Sequence, residues 1–514
     1  MSDPKTTDVV ELVTTNVSQK DGTTIEVPAS TTWLEHIKDL KNCHRAALTA
    51  VACSSIAVLI GYDLMMIGSI IANKEFVESF GVYDSALDAW TLPADRQLVW
   101  TICQFLAAML GAVLVGQLSD WFGRRLCFFI TVLLTVTGSV IELVSNHWGV
   151  WAFAKVIFGM AMGFMQGNTQ VYVSEVTPSS IRGFMLSLFQ FWIVFGSFLA
   201  TCVLEGTSKV NGSWSWKAAV VSQFALAAIC IVLFLAFTPE SPYWLVNKGR
   251  DEDAQKALLR IHGSEAGYNV NADVAAIRST IEAEREASSV SASYLECFKG
   301  TDRRRTFLAC LPMVMQQFCG FPLCGNYLAY FLTLSRLKNA FLLTMISLLL
   351  AIFAVLISFS LIEHVGRRKQ LLAGVFSMIP CLLAITILGW VGRGTLANGQ
   401  ALAAFSIIWS IFYYLSLGAI GWTLVGEISS TRLRAKTGAL ATLTNAVCNM
   451  AWAIAIPYLI NAEEANLGPK AGVVFLGPAI FLSILAFFVI PETKGKTFAQ
   501  LDALFQLRTP ARKF

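Results

Sequence analysis

The stretch 46-AALTAVACSSIAVLIGYDLMMIGSIIAN-73 decides the fold, because its 28 residues are apolar or uncharged except for Asp63. A helix needs about 20 mostly apolar residues to cross the hydrocarbon core of a bilayer. The stretch is therefore predicted to span a membrane. An ionised carboxylate near the bilayer centre costs about 2.5–3.5 kcal/mol, so Asp63 needs a partner, a water-filled cavity or a proton. Each of these favours a transport function.

The composition extends this prediction to the whole chain. Of its 514 residues, 55% are hydrophobic and only 14% are charged, whereas soluble domains carry about 25% charged residues. Further apolar stretches of membrane-spanning length follow the first. Together they predict an all-α membrane protein with twelve transmembrane helices in two sets of six: 46–70, 97–117, 126–145, 149–172, 183–204, 218–238, 306–331, 339–362, 370–391, 401–426, 436–460 and 471–490.

Charged residues outside the spans indicate the orientation. Lys and Arg accumulate in short cytoplasmic loops, and here they concentrate after spans 2, 4, 8 and 10, as in Arg124-Arg125 and Arg367-Arg368-Lys369. Both termini are therefore predicted to be cytoplasmic. Asn211 then lies in an outer loop, where its Asn-Gly-Ser motif is a candidate glycosylation site. Apart from Lys436 at the first position of its span, the ionisable acids and bases inside the spans are Asp63, Glu142 and Lys155.

Changes in composition divide the chain into five segments. Residues 1–45 are polar and lack the pattern of a secretory signal, so we predict a cytoplasmic tail. Two six-helix bundles are predicted over 46–238 and 306–490, separated by a charged, helical cytoplasmic linker at 239–305. A short cytoplasmic tail, 491–514, ends the chain.

The two halves repeat one another. DWFGRR at 120–125 recurs as EHVGRR at 363–368, which is 243 residues later. Glu175 with Arg182 recurs as Glu427 with Arg434, and Pro239-Glu240 recurs as Pro491-Glu492, both 252 residues later. Such a parallel repeat of six spans is typical of transporters that rock two bundles about a central site.

Several motifs in a fixed order make the chain similar to a known family. It resembles the sugar porter family of the major facilitator superfamily over about residues 46 to 505. The matching motifs are Gly61-Tyr62-Asp63, Gly123-Arg124-Arg125, Tyr172-Val173-Ser174-Glu175, Pro239-Glu240-Ser241-Pro242, Gln316-Gln317 and Pro491-Glu492-Thr493. Cys319-Gly320 after the glutamine pair is similar to fungal α-glucoside permeases, so a disaccharide is one candidate substrate.

The charges that flank the spans predict a cytoplasmic gate. Arginine clasps carboxylates bidentately, and acids contribute little to membrane orientation, so their presence favours paired clusters over a pure orientation signal. These clusters are predicted to form a breakable latch that holds the outward-facing state. Its members are Asp120, Arg124, Arg125, Glu175, Arg182, Glu240, Glu363, Arg367, Arg368, Glu427, Arg434 and Glu492.

Uncharged polar side chains on inner spans are the candidates for substrate binding, because amides both donate to and accept from sugar hydroxyls. Gly418 and Gly421 are predicted to let span 10 bend beside a tryptophan that packs on a sugar ring. By resemblance, the sugar-contacting residues are Gln190, Gln316, Gln317, Asn326, Trp422, Asn445 and Asn449.

Proton coupling is predicted from the acid in span 1. In proton-linked members of the family this acid pairs with an arginine of span 4, and Lys155 stands at the matching position here. Lysine neutralises a carboxylate as a point charge. We therefore expect Asp63 protonation to release Lys155 during sugar:proton symport. The alternative is a permanent ion pair in a passive facilitator.

These features lead to a functional prediction. The chain is expected to be a monomeric sugar importer of the plasma membrane that uses the proton gradient and no cofactor. The alternatives are a facilitator, a carrier of another polyhydroxylated solute such as quinate or a polyol, and a nutrient receptor. Neither an enzyme nor a nucleic-acid-binding protein is expected, because the spans hold no nucleophile–base pair and the net charge is only +4.

Overall fold

The structure is a computed structural model that describes residues 43–514 except 86–87, 264–268, 290–293, 335–336, 338, 392–394, 430–432, 461–464, 466, 495–497 and 508. Most of the predicted tail, residues 1–42, lies outside the described residues. The described part is helical apart from one small hairpin, because long apolar segments satisfy their backbone polar groups within a helix.

The first half contains six spans. Span 1 consists of α1 (His44–Ser54) and α2 (Ala57–Ile70), with a short break at 55–56. A short helix, α3 (Lys74–Phe80), and an antiparallel hairpin of β1 (Val82–Asp84) and β2 (Ala89–Thr91) follow it. Spans 2 to 6 are α4 (Ala94–Phe122), α5 (Arg124–Val144), α6 (Trp148–Val176), α7 (Ser179–Thr207) and α8 (Trp214–Phe237).

Three helices connect the halves: α9 (Pro242–Asn247), α10 (Asp251–His262) and α11 (Val270–Ser289). Their apolar faces form a small core of their own, which includes Trp244, Leu258 and Ile281. A 3-10 turn, Tyr294–Phe298, leads into the second half. We call the end of the bundle that carries these helices the linker end, and the end that carries β1 and β2 the hairpin end.

The second half begins with an interrupted span. Here α12 (Gly300–Phe318), a π-helical turn (Pro322–Asn326) and α13 (Leu328–Leu334) replace one continuous helix. Spans 8 and 9 are α14 (Ala340–His364) and α15 (Arg367–Trp390), and span 10 is divided into α16 (Leu396–Leu415) and α17 (Leu417–Ile428). The chain continues with α18 (Arg434–Ile460), a 3-10 turn (Gly468–Ala471), α19 (Gly472–Val489), α20 (Phe498–Gln506) and a final 3-10 turn (Ala511–Lys513).

Eleven helical stretches of the described part are long and apolar enough to cross a membrane. The remaining predicted span, 306–331, is the interrupted one. Gly320 has a φ of +106°, which ordinary residues rarely adopt, and Pro322 cannot donate a backbone hydrogen bond. Span 10 also differs from the prediction, because its break lies at Ser416 (φ −126°, ψ −91°) and not at the glycines that follow.

The halves pack together at the hairpin end. Buried residues of the first half near that end, such as Tyr62, Phe76 and Trp216, belong to one apolar cluster with those of the second half. Buried residues near the linker end, such as Phe128 and Phe234, form a separate cluster.

A backbone contact seals this packing. A Cβ atom added to Gly68 would lie 2.0 Å from the carbonyl oxygen of Asn326, so the helix of span 1 touches the main chain of the interrupted span directly. Small residues allow such close approach between membrane helices. The described structure is therefore closed at the hairpin end.

Candidate functional site

A buried ionic cluster lies between four helices of the first half. The Lys155 Nζ atom on α6 is 2.8 Å from Asp63 Oδ1 on α2 and 2.7 Å from Glu142 Oε1 on α5. Gln104 on α4 donates a hydrogen bond to the other oxygen of Asp63. The three ionisable side chains are at most 7% exposed. Two carboxylates thus share one ammonium group inside the bundle.

Aromatic rings lie beside the ammonium of this cluster, and a small cavity lies beside one of its carboxylates. The Lys155 ammonium lies 5.3 Å from the centroid of the Trp151 ring and 5.1 Å from that of Phe158, within the range of cation–π attraction. A cavity of about 10 Å³ borders Asp63, with Thr135 as its other polar lining residue. Such a volume is close to the room that one water molecule needs.

A second polar cluster lies in the other half. Asn445 on α18 donates a hydrogen bond of 3.0 Å to Gln316 Oε1 on α12, and Gln316 donates one of 3.2 Å to the carbonyl of Leu417 on α17. A Cβ atom at Gly421 would lie 2.6 Å from Gln316 Nε2, so this glycine leaves room for the amide. The structure therefore brings spans 7, 10 and 11 together around one glutamine.

Gln317, the next residue, is 3% exposed, and its Oε1 atom accepts no hydrogen bond from the described part of the chain. A buried acceptor without a donor is unfavourable in the protein alone. The other predicted sugar contacts are less enclosed: Gln190, Asn326 and Asn449 are half-buried, and Trp422 is 41% exposed. Among the described contacts, only Gln316 and Asn445 of this predicted set bond to each other.

At the linker end, Arg124 organises a cluster of acids from the first half. Its guanidinium donates to both Glu175 oxygens at 2.9 and 3.2 Å and to Asp120 at 3.1 Å. Glu240 caps the start of α5 by accepting from the backbone N–H groups of Arg124 and Arg125. Carboxylates are stabilising at a helix N-terminus.

The glycine before Arg124 allows this cap. Gly123 has a φ of +98°, and a Cβ atom there would lie 2.5 Å from a Glu240 oxygen. Gly366 repeats both features in the second half, with a φ of +97° and a distance of 2.8 Å to a Glu492 oxygen.

The second half repeats the arginine–glutamate contacts and the glutamate cap of this cluster. Arg367 donates two bonds to Glu427, and its backbone N–H donates to Glu492 at 3.0 Å. Arg368 donates its N–H to Glu492 as well. Ser241 donates to Glu175 in the first half, and Thr493 donates to Glu427 in the second. The sequence repeat thus corresponds to a repeat of hydrogen-bond partners.

The contacts described for these two clusters stay within each half, and none of them joins Arg124 to the Arg367 cluster. The side chains of Arg182, Glu363 and Arg434 lie outside the described part, so their share in the predicted gate stays a prediction.

Two members of the ionic cluster, Glu142 and Gln104, have no functional role predicted from the sequence. The sequence marks Glu142 only as an ionisable residue in a span, and it does not single out Gln104. Beyond Arg124 and Arg125, Glu142 is the one charged residue of α5, so its charge within the span is the available signal. Gln104 gives no signal distinguishable from an ordinary packing amide. No grouping of three or more His, Cys, Asp or Glu side chains suited to a metal ion occurs among the described residues.

Comparisons with known proteins agree with this architecture. The general alpha-glucoside permease of Saccharomyces cerevisiae is 29% identical over 477 residues, which cover 91% of this chain and 77% of the permease. The MFS transporter fmqE of Aspergillus fumigatus is 28% identical over 474 residues, covering 92% of this chain and 87% of that transporter.

A solved structure shows the same fold. The xylose transporter XylE from E. coli, in a partially occluded inward-open conformation, superimposes with a TM-score of 0.70 at 19% identity, covering 88% of this chain and all of that chain. This supports the prediction of a major facilitator fold with two six-helix repeats, and the relatives are transporters, not enzymes. Residues 48–505 match the family described as "Sugar (and other) transporter", and the chain therefore belongs to this family of multi-pass membrane transporters.

Proposed function

We propose that this transporter imports a sugar together with a proton by alternating access. The observation that carries the proposal is the coexistence of a buried titratable cluster in one half and an amide cluster in the other. An intramembrane acid is a functional site by default, and a proton relay is one of its common uses. The amides of Gln316, Gln317 and Asn445 supply the donors and acceptors that a polyhydroxylated solute requires.

The buried oxygen of Gln317 supports a sugar ligand in particular. A carbonyl oxygen accepts a hydrogen bond from a hydroxyl, and a sugar presents hydroxyls at nearly every carbon. Gln190, Asn326, Trp422 and Asn449 are proposed to complete the site from less enclosed positions. Because one relative is an alpha-glucoside permease and another is the MFS transporter fmqE, the solutes to compare are α-linked disaccharides, monosaccharides, polyols and quinate.

The proposal also includes the orientation of the protein in the membrane and its conformational state. With the basic loops in the cytoplasm, the linker end faces the cytoplasm and the closed hairpin end faces outward. The structure then corresponds to an inward-facing state. The Arg124 and Arg367 clusters would meet across the halves only in the outward-facing state, where they act as the latch. We further propose a monomer in the plasma membrane with both termini cytoplasmic.

Uptake of labelled solutes tests the function. The full-length protein is expressed in cells that lack their own sugar carriers, and accumulation of maltose, glucose, xylitol and quinate is measured with and without a protonophore. Accumulation of a sugar above its external concentration, abolished by the protonophore, is the expected result. Equilibration of the sugar that the protonophore does not alter would show a passive facilitator instead. Uptake of quinate or xylitol alone would show that the substrate is that solute and not a sugar.

Asp63→Asn tests the coupling. The asparagine resembles the protonated acid, so we expect exchange of sugar across the membrane to persist while uphill accumulation is lost. Exchange and accumulation are measured in the same cells. Asp95→Asn, at an exposed position in the first turn of α4, is the matched control and should retain both activities. Unchanged accumulation by Asp63→Asn would contradict proton coupling through this acid.

A further inference from the structure

We infer that Glu142 is a coupling residue: it holds the Lys155 charge while Asp63 carries the transported proton. This inference rests on the proposed symport and assigns it a second acid. The observation behind it is the bridging position of Lys155, whose Nζ atom lies almost equally close to Asp63 and Glu142.

Charge counting defines the proton-binding states of the cluster. With both acids ionised, two negative charges face one positive charge, and the buried cluster has a net charge of −1. One bound proton makes it neutral. Because uncompensated charge is unfavourable inside a membrane protein, the cluster favours binding one proton.

The structure distinguishes the two acids. Asp63 borders the small cavity, and Glu142 is not among the described residues that line it. Glu142 is fully buried, and apart from the Lys155 ammonium its oxygens have no donor in the described part of the chain. Gln104 donates a hydrogen bond to the other Asp63 oxygen, which stabilises the ionised form of Asp63 once its proton has left. Because the cavity beside Asp63 has room for about one water molecule, we assign proton exchange to Asp63 and the fixed counter-charge to Glu142.

Lys155 acts as the moving part. When Asp63 is ionised, the ammonium bridges both carboxylates. When a proton binds to Asp63, the ammonium pairs with Glu142 alone, and no buried cation is left without a partner. Without Glu142, protonation of Asp63 would leave Lys155 unpaired against Trp151 and Phe158. Proton loading would then be less favourable.

Tyr62 is a further titratable group near the cluster in the described part of the chain. Tyr62 lies beside Glu142 and Cys202, and its hydroxyl hydrogen-bonds to the Ala219 carbonyl and to Ser222 on α8. Gln104 on α4 and Thr135 on α5 are polar neighbours of Asp63 that do not titrate. The pH response of the cluster is therefore assigned to Asp63, Lys155 and Glu142.

The functional test uses Glu142→Gln in the full-length protein, reconstituted in vesicles, with labelled maltose or the best-transported sugar of the uptake panel. We expect sugar exchange to stay within about twofold of wild type. The pH at which proton-driven uptake is half-maximal should fall by about one unit or more, which is a tenfold loss of apparent proton affinity. Ser139→Ala, one turn away on the same helix, is the control and should leave the pH profile unchanged.

Glu142→Asp covers the case in which Glu142→Gln fails to fold. It keeps the charge but moves the carboxylate away from Lys155 by one methylene, so a smaller shift in the same direction is expected. A merely structural role would lower the amount of folded protein without moving the pH profile. A profile identical to wild type in whichever variant folds overturns the inference.

Thermal stability gives a second measurement that needs no sugar. Asp63→Asn and Glu142→Gln each leave Lys155 one carboxylate, whereas the double variant leaves it none. We expect the double variant to lose more stability than the two single variants together, and Lys155→Gln added to it should restore stability. Additive losses would overturn the inference.

Two outcomes separate this inference from the proposed symport. If wild type exchanges sugar but never accumulates it, the symport proposal is wrong. If wild type accumulates sugar and only the Glu142 results disagree, the role of Glu142 alone is wrong.

Discussion

At the scale of single residues, the informative signal is a charged or amide side chain within an otherwise apolar span. Asp63 and Lys155 stand out because a buried charge is rare in a span, and the structure places them 2.8 Å apart. Gln316 and Asn445 are candidates for substrate binding because they are amides in apolar spans, and the structure shows them hydrogen-bonded to each other. The sequence could not show that Glu142 shares Lys155, because residues 63, 142 and 155 meet only through the packing of three helices.

Gln317→Leu tests the unpaired amide oxygen. The variant removes a buried acceptor that has no donor in the described structure, so the folded protein should not be destabilised. If a sugar hydroxyl donates to this oxygen, its loss should cost about 1–1.4 kcal/mol and raise the half-saturating sugar concentration about 5- to 10-fold. Concentration-dependent uptake measures this change.

Gln316→Leu is the companion variant. It removes the hydrogen bonds that Gln316 makes with the Asn445 amide and the Leu417 carbonyl, so both stability and uptake should fall. An unchanged half-saturating concentration in Gln317→Leu would exclude that oxygen from the sugar site.

At the scale of helices, hydropathy locates the spans but not their breaks. The predicted span 126–145 corresponds to Arg124–Val144, whereas the predicted helix 306–331 is interrupted. Averaging over a window of about 19 residues hides a local interruption. Gly320 and Pro322 are visible signals for one break, but Ser416 carries no residue preference that would mark the other.

Gly320→Ala tests the break in span 7. Alanine in the left-handed region costs about 1–2 kcal/mol, and its Cβ atom would lie 3.0 Å from Leu382, so we expect a lower melting temperature of the purified protein. Gly426→Ala is the control, since this helical glycine has open space around it and alanine favours a helix. Equal melting temperatures for Gly320→Ala and wild type would contradict a strained backbone at this position.

At the scale of the molecule, the internal repeat predicts the fold from the order of residues alone. DWFGRR and EHVGRR take matching partners in the two halves, from the arginine–glutamate pairs to the capped glycine turns. The state of the molecule cannot be predicted in the same way. Alternating access requires that one sequence stabilise two arrangements, so residue patterns do not indicate which of them is closed.

Gly68→Ala tests which end is closed. Its methyl group would meet the Asn326 carbonyl at 2.0 Å, so closure at the hairpin end should become unfavourable and the protein should shift towards the opposite state. Modification of a cysteine placed at the hairpin end by a membrane-impermeant reagent should become faster, and net transport should fall. Gly116→Ala, with nothing within 4 Å of the added atom, is the control. Unaltered labelling in Gly68→Ala would contradict this seal.

The seal at Gly68 has a consequence for how such proteins acquire new cargo. The contact is formed by main-chain atoms, so it depends on the path of the backbone and not on the identity of the Asn326 side chain. Substitutions that change solute preference can therefore accumulate around the amides without a compensating change at this contact between the two halves. Laboratory evolution of this scaffold should tolerate wide variation in its lining, provided that position 68 remains glycine.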